Sequence, residues 1–148
     1  MDMPAAAFTL YRLLADSYAR WFNQPLVDPA LPDEQAARWL YAEAPFGLLA
    51  HDTRADPLFI YGNCAAQGCF EYSWDELLQL PSRLSARPQQ VEDRRQFLEQ
   101  VSRQGFATGY RGLRVSKSDR SFWINDGTVW QLVDQAGMLR GQAALFKL

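Results

Sequence analysis

Ser82, Arg83 and Ser85 lie in a short segment between two predicted helices, and they are the polar residues best suited to holding a ligand. The guanidinium of Arg83 offers five N–H donors in a planar fork that fits a carboxylate or a phosphate, and the serine hydroxyls add further donors and acceptors. The alternative is structural, with Arg83 bonded to loop carbonyls or to the carboxylate of Asp75 or Glu76. Both interpretations stay open, and the first is carried forward as a hypothesis.

Three residues on the later predicted strands could complete a pocket with mixed apolar and polar walls, as small-molecule sites usually have. Tyr110 and Arg114 are four residues apart, so strand alternation puts their side chains on one face of the sheet. The candidate ligand-binding residues are therefore Ser82, Arg83, Ser85, Tyr110, Arg114 and Trp130.

Residues for catalysis or metal binding are sparse. His51 is the only histidine, and its neighbour Asp52 cannot join it in a catalytic triad, because adjacent side chains on a strand point to opposite faces. Zinc would have to gather ligands from distant elements. The carboxylates of Asp75 and Glu76 fall in a first helical turn, where negative charge favours the helix end. We therefore expect the protein to have neither enzymatic activity nor a metal site.

Composition and charge limit the classes of protein. The chain has 148 residues, 48% of them hydrophobic and 14% aromatic, which is typical of one packed domain. A net charge of -2 argues against a general nucleic-acid clamp. Residues 101–148 carry seven basic and three acidic residues, but apolar residues separate them, which favours an ordinary solvated sheet face.

The sequence also bears on the cellular compartment. No apolar run approaches the roughly 18 residues of a membrane-spanning helix, and the start of the chain lacks the basic leader of a secretory signal. Cys64 and Cys69 are too few for a disulfide framework, and on one helix they would point too far apart to pair. We therefore expect a cytoplasmic protein with neither a membrane nor a nucleic acid as partner.

Hydrophobic periodicity and turn residues predict the order of elements. In chain order they are a helix over residues 6–22, a proline-rich connector over 23–32, a helix from Asp33 towards Pro45, strands near 46–48 and 58–61, short helices after Asn63 and over 74–80, a long helix from Pro88 to Gly105, and strands over 106–115, 121–133 and 138–146. This segregated order predicts an α+β fold, with an antiparallel sheet and helices packed on one face. Asp126 and Gly127 could split the middle strand as a hairpin turn, but we expect a bulge.

Several stretches resemble the MEKHLA domain family, which is PAS-like. They are Ala50-His51-Asp52, residues 56–63, residues 73–77, residues 80–86, Tyr110-Arg111-Gly112, Thr128-Val129-Trp130 and residues 141–144. The resemblance spans about residues 36–146 and implies a five-stranded antiparallel sheet. The family occurs at the C-terminus of class III homeodomain-leucine zipper plant proteins and as small bacterial proteins, and this chain resembles the stand-alone bacterial form. It divides into an N-terminal helical extension and connector over residues 1–35 and a PAS-like domain over residues 36–148.

The resemblance also bears on cofactors. In flavin-binding photosensor PAS domains the reactive thiol follows the short helix after the capping box, which here is the region of Pro81, where no cysteine stands. Haem-binding PAS domains usually take their iron ligand from the long central helix, and His51 lies elsewhere. We therefore expect no cofactor.

The resemblance implies a non-enzymatic sensory or interaction domain that binds a small organic ligand between sheet and helices and signals through changed association. One alternative is a protein–protein interaction module with a filled core, and a further one is a small enzyme using Arg83 and His51. The N-terminal helix carries an apolar face of Leu13, Leu14, Tyr18, Trp21 and Phe22. This face could pack on its own sheet, but we expect it to join a homodimer.

Overall fold

The computed structural model of the protein describes residues 2–87 and 91–148, and the side chains of these residues apart from 91–94. Its elements are α1 (Ala5–Phe22), α2 (Asp33–Ala42), β1 (Phe46–His51), β2 (Phe59–Gly62), α3 (Cys64–Phe70), α4 (Trp74–Leu77), a 3₁₀ turn (Ser82–Ser85), α5 (Val91–Gln104), β3 (Phe106–Val115), β4 (Ser121–Val133) and β5 (Leu139–Lys147). The predicted start of the long helix at Pro88 lies outside the described residues.

The five strands form one antiparallel sheet in the order β2-β1-β5-β4-β3. The first and last strands of the sequence are therefore neighbours at the centre. The predicted α+β class and five-stranded sheet are confirmed, with α3, α4 and α5 on one face and the N-terminal helix preceding them. β4 is continuous, and its pairing with β3 shifts register on both sides of Tyr110, which lies opposite Gly127. The expected bulge is confirmed, and Asp126 takes the left-handed backbone conformation beside it.

Helix α1 lies across the face of the sheet opposite α5, which we call the outer face. Its apolar side chains follow helical spacing, and Ala7, Tyr11 and Leu14 are buried. Trp130 of β4 is fully buried beneath the helix, with its ring centroid 5.0 Å from that of Tyr18. The apolar face of α1 is thus occupied within the chain, which is the first of the two arrangements that the sequence left open.

Polar contacts fix α1 along the end of β4. The hydroxyl of Ser17 accepts a bond from the Val133 N–H at 2.9 Å and donates to the carbonyl of the same residue at 3.2 Å. The indole N–H of Trp21 donates to the Gln131 carbonyl at 2.9 Å. Because β3 begins opposite Trp130, these side chains bond a stretch of β4 that β3 does not reach. Gly105, at φ +91°, lets the chain leave α5 here, and a Cβ on it would stand 2.4 Å from the Trp21 ring.

Asn63 joins α2 and β1 to the start of α3. Its side chain is fully buried and forms four hydrogen bonds. The amide donates to the carbonyls of Leu40 and Phe46 at 3.1 and 3.0 Å, and the side-chain oxygen accepts from the N–H groups of Leu48 and Ala66 at 3.0 and 3.1 Å. The predicted helix start at Asn63 is confirmed.

The opposite face of the sheet, which we call the inner face, is covered by α3, α4 and α5. Its buried side chains include Leu49, Phe59, Phe70, Leu77, Val101, Ala107 and Phe146. The predicted capping box opens α4, with the Ser73 hydroxyl accepting from the Glu76 N–H at 3.2 Å and the Glu76 carboxylate accepting from the Ser73 N–H at 3.0 Å. The short helices and α5 thus form a cover over the inner face of the sheet.

Candidate functional site

A small cavity lies on the inner face, between the sheet, α5 and the 3₁₀ turn, and has a volume of about 50 Å³. The side chains around it are apolar at Leu49, Phe59, Phe97, Leu98, Val129 and Ala144, and polar or charged at His51, Ser82, Tyr110, Arg114 and Gln142. A water molecule needs roughly 10–15 Å³ of such space. The cavity therefore has room for only a few water-sized groups in this conformation.

Among the described residues that line this cavity, Arg114 brings a guanidinium group. Its Nη1 donates to the Ser85 hydroxyl at 2.7 Å, and its guanidinium carbon lies 5.8 Å from the Tyr110 ring centroid. Its Nε is buried and has no hydrogen-bond partner within the part of the chain that the structure describes. Such unsatisfied buried donors are uncommon, because each costs about 1–3 kcal/mol or more when charged.

Ser85, which accepts the hydrogen bond from Arg114, belongs to the 3₁₀ turn. Ser85 is fully buried, and its hydroxyl donates to the Ser82 carbonyl at 2.7 Å while it accepts from Arg114. Ser82 is also buried, and its N–H donates to the Pro57 carbonyl at 2.8 Å. The turn is therefore tied both to the loop before β2 and to Arg114.

The bulge in β3 places Tyr110. Its ring lies against Phe97 of α5, with centroids 4.7 Å apart. The ring folds back over Gly112, where a Cβ would stand 2.2 Å from the Tyr110 hydroxyl. A residue with a side chain at position 112 would thus displace Tyr110 from this wall of the cavity.

His51 lies at the end of β1 and contributes to the cavity wall. Its Nδ1 is 2.9 Å from the Asp52 carbonyl oxygen. Burial alone would raise the pKa of the Asp52 carboxyl, but hydrogen bonds from the N–H groups of Leu58 and Arg54 outweigh it and hold that pKa below its usual value. The Asp52 carboxylate therefore stabilises the turn between β1 and β2.

The six candidate residues from the sequence fall into two groups. Ser82, Ser85, Tyr110 and Arg114 come together at or directly beside the cavity. Arg83 instead points outward, where its Nε donates to Asp56 at 3.1 Å in an ion pair whose side chains are both more than half exposed. Trp130 lies on the outer face. The sequence reasoning did not single out Phe97 or Gln142, although Gln142 interrupts the apolar alternation of β5 on the inner face.

Other reactive groups form no comparable site. Among the described residues no group of three histidine, cysteine or acidic side chains could hold a metal. Cys64 and Cys69 are not disulfide-bonded, and burial raises the pKa of both thiols. Within the same residues, no helix has the length and apolar character needed to cross a membrane.

Comparison with solved structures defines the class of fold. The chain is similar to the PAS domain of a protein from Colwellia psychrerythraea, with TM-score 0.66 and 16% identity over 77% of this chain and 93% of that one. It is similar to a PAS domain from a two-component sensor histidine kinase, with TM-score 0.59 and 21% identity over 77% of this chain and 93% of that one. It also resembles an RNA-binding light-oxygen-voltage receptor, with TM-score 0.65 and 16% identity over 83% of this chain but 36% of that one. The fold is that of PAS domains.

Within this class, the chain belongs to the MEKHLA domain family, which it matches over residues 8–148. The match includes most of α1 as well as the PAS-like sheet and its helices. None of the curated proteins matches the chain significantly.

Proposed function

We propose that this chain is a non-enzymatic sensory domain that binds a small molecule between the sheet and α5 and signals through changed association. The observation that carries the proposal is the cavity, where polar groups from three separate elements converge among apolar walls: Ser82 from the 3₁₀ turn, Arg114 from β3 and Gln142 from β5. Ligand sites commonly combine a mostly apolar enclosure with a few such polar groups.

The signalling step is proposed to begin at α5. Phe97 and Leu98 line the cavity from this helix, while Val101 one turn further is buried in the inner-face core. A ligand in the cavity would contact Phe97 and Leu98 and so change how the first part of α5 packs on the sheet. The effect of binding on α5 would then reach the protein surface, since Leu98 is already partly exposed.

The homodimer predicted from the sequence remains part of the proposal, with its surface revised. Because the apolar face of α1 packs on the sheet, association through this helix would use its other side, where Phe8 is 44% exposed. Sedimentation equilibrium of the full chain tests this step, with Phe8→Glu expected to favour the monomer. A dimer unaffected by this change would place the interface elsewhere.

A ligand screen by thermal unfolding and native mass spectrometry tests the binding step. A compound that binds in the cavity should raise the unfolding temperature, remain bound in the mass spectrum and change the sedimentation profile. Ala144→Leu fills the cavity and should remove the response to that compound, whereas Ala19→Leu, on an exposed position of α1, should keep it. The proposal fails if the Ala144→Leu protein still responds, or if no compound stabilises the wild-type chain.

The small cavity favours a second candidate, an interaction module with a filled core. An exposed aromatic group suits this function, since Trp123 is 42% exposed on β4 and the Arg111 guanidinium lies 3.9 Å from its ring centroid. If the screen finds no compound, and a purified partner protein binds the wild type but not Trp123→Ala, this second function replaces the first.

A further inference from the structure

We infer that the ligand of the inner-face cavity is a short monocarboxylate, anchored by the guanidinium of Arg114. This inference rests on the proposed function and narrows it to a chemical class. Three properties of the cavity support it: its charge, the geometry of its donors and its size.

The charge of the cavity is positive. Arg114 carries a positive charge, and no acidic side chain occurs among the described residues around the cavity. Its established contacts are the Ser85 hydroxyl and the face of Tyr110, neither of which carries a negative charge. A guanidinium that is partly removed from water in this way is stabilised most by an anion.

The Nε edge of the guanidinium has no hydrogen-bond partner among the described residues. The bond to Ser85 uses Nη1, while Nε is buried and unpartnered in the described structure. A carboxylate bonded to Nε and Nη2 would form the bidentate pair that arginine favours and would keep the Ser85 contact. The anchor would thus connect the ligand through Ser85 to the 3₁₀ turn.

The size and the walls of the cavity select among anions. A volume of about 50 Å³ is about a third of the roughly 150 Å³ that accepts benzene, which limits the ligand to the size of formate or acetate. Leu49, Phe59, Val129 and Ala144 present apolar surface that suits a methyl or methylene group rather than a third anionic oxygen. A benzene ring needs roughly three times this volume, so aromatic acids would require α5 to move.

An NMR titration of the isotope-labelled full chain tests the inference, with sodium acetate as probe and sodium chloride at equal ionic strength as reference. Acetate should shift the backbone amides of Ser85, Tyr110 and Ala144 saturably. Acetamide has the same shape without the charge and should bind at least tenfold more weakly. Propionate should bind, and benzoate should bind at least tenfold more weakly than acetate.

Two variants locate the anchor. Arg114→Gln should weaken acetate binding at least tenfold, whereas Arg111→Gln, a neighbour on the same strand that stacks on Trp123, should leave it unchanged. If Arg114→Gln does not fold, the comparison of acetate with acetamide on the wild-type chain decides alone.

The outcomes separate this inference from the function on which it rests. Equal binding of acetamide and acetate would overturn the carboxylate class while leaving a ligand-binding cavity. Saturable shifts of the same amides by a larger neutral compound, with no response to acetate or propionate, would do the same. If no compound perturbs these amides, both the inference and the proposed sensory function fail.

Discussion

The two faces of the sheet each bury one N–H group that lacks a hydrogen-bond partner within the described residues: the indole of Trp130 on the outer face and Nε of Arg114 on the inner face. The Trp130 group is neutral and lies among aromatic rings, with Tyr18 in an edge-on arrangement at 5.0 Å. The Arg114 group is charged, and Arg114 lines the inner-face cavity.

The difference shows how one sheet can serve stability and binding separately. Helices α1 and α2 cover the outer face, and aromatic side chains of α1 pack directly on Trp130 and Phe106. The inner face is covered by short helices, a turn and α5, which leave a gap beside Arg114. An unpartnered N–H group in a closed core lowers the stability of the fold slightly, whereas an unpartnered N–H group on a residue that lines a gap indicates a ligand site.

The largest effect should come from a substitution that disrupts the packing on the outer face. Trp130→Ala is expected to lower the free energy of unfolding by about 4 kcal/mol, because it removes a fully buried ring and leaves a cavity. Denaturant unfolding measures this loss. Trp123→Ala is the matched control, since that ring is 42% exposed, and its cost should stay near 1 kcal/mol or less. Similar costs for both would contradict the description of the outer face as the sealed side.

On the inner face, the corresponding change should affect binding far more than stability. Arg114→Met keeps the length and the apolar contact with Tyr110 but removes the unpartnered donor. The free energy of unfolding should change by no more than about 1 kcal/mol, because losing the Ser85 bond is offset by relief of the buried N–H. Any ligand response in the thermal screen should disappear. A loss as large as that of Trp130→Ala would mean that Arg114 is a structural residue.

A smaller effect concerns the exposed contacts that hold the β3–β4 turn beside α3 and α4. Hydrogen bonds from Ser116 and Ser118 lower the pKa of Glu71 to about 2, and the ammonium of Lys117, with the Ser73 N–H, lowers that of Glu76 to about 2. Since both values are below the ordinary value of 4.5, the stabilisation is complete above pH 4.5 and is lost as the pH falls towards 2.

Melting temperatures measured across this pH range check the effect. The wild-type melting temperature should fall between pH 4.5 and 2, and Glu76→Gln should make the fall shallower. Glu43→Gln, at the exposed end of α2, serves as control and should leave the slope unchanged. An identical slope in all three proteins would show that these contacts do not stabilise the folded state.

The smallest effect is expected at Arg83. Because its ion pair with Asp56 is largely exposed, Arg83→Ala should change the free energy of unfolding by no more than about 0.5 kcal/mol. It should also leave the ligand response intact, since Arg83 points away from the cavity. Loss of that response would extend the site to the surface of the 3₁₀ turn, as the sequence hypothesis has it.

Local patterns made much of the fold predictable. Two-residue alternation indicated the strands, and the Ser73 capping box and Asn63 indicated helix starts, because these signals act within a few residues. The order of strands was not predictable in this way. The pairing of β1 with β5 joins residues nearly a hundred positions apart, and only the packed sheet determines it.

Prediction of the candidate site from local sequence patterns meets the same limit. Ser82, Ser85, Tyr110 and Arg114 were found from residue type, but Trp130 was grouped with them although it faces α1. The bulge explains this, because an extra residue in β3 reverses which side chains face which way. Phe106, opposite Trp130, lies on the outer face, whereas Tyr110 four residues later lies on the inner face.

Ser17 and Trp21 bond the backbone of β4 where β3 is absent, and this has a consequence for shortened forms of the protein. A chain beginning at Asp33 would expose the Val133 N–H and carbonyl and the Gln131 carbonyl along an unprotected strand border. Such borders recruit strands from other molecules. We therefore expect the truncated chain to self-associate into insoluble material even where its remaining core is intact.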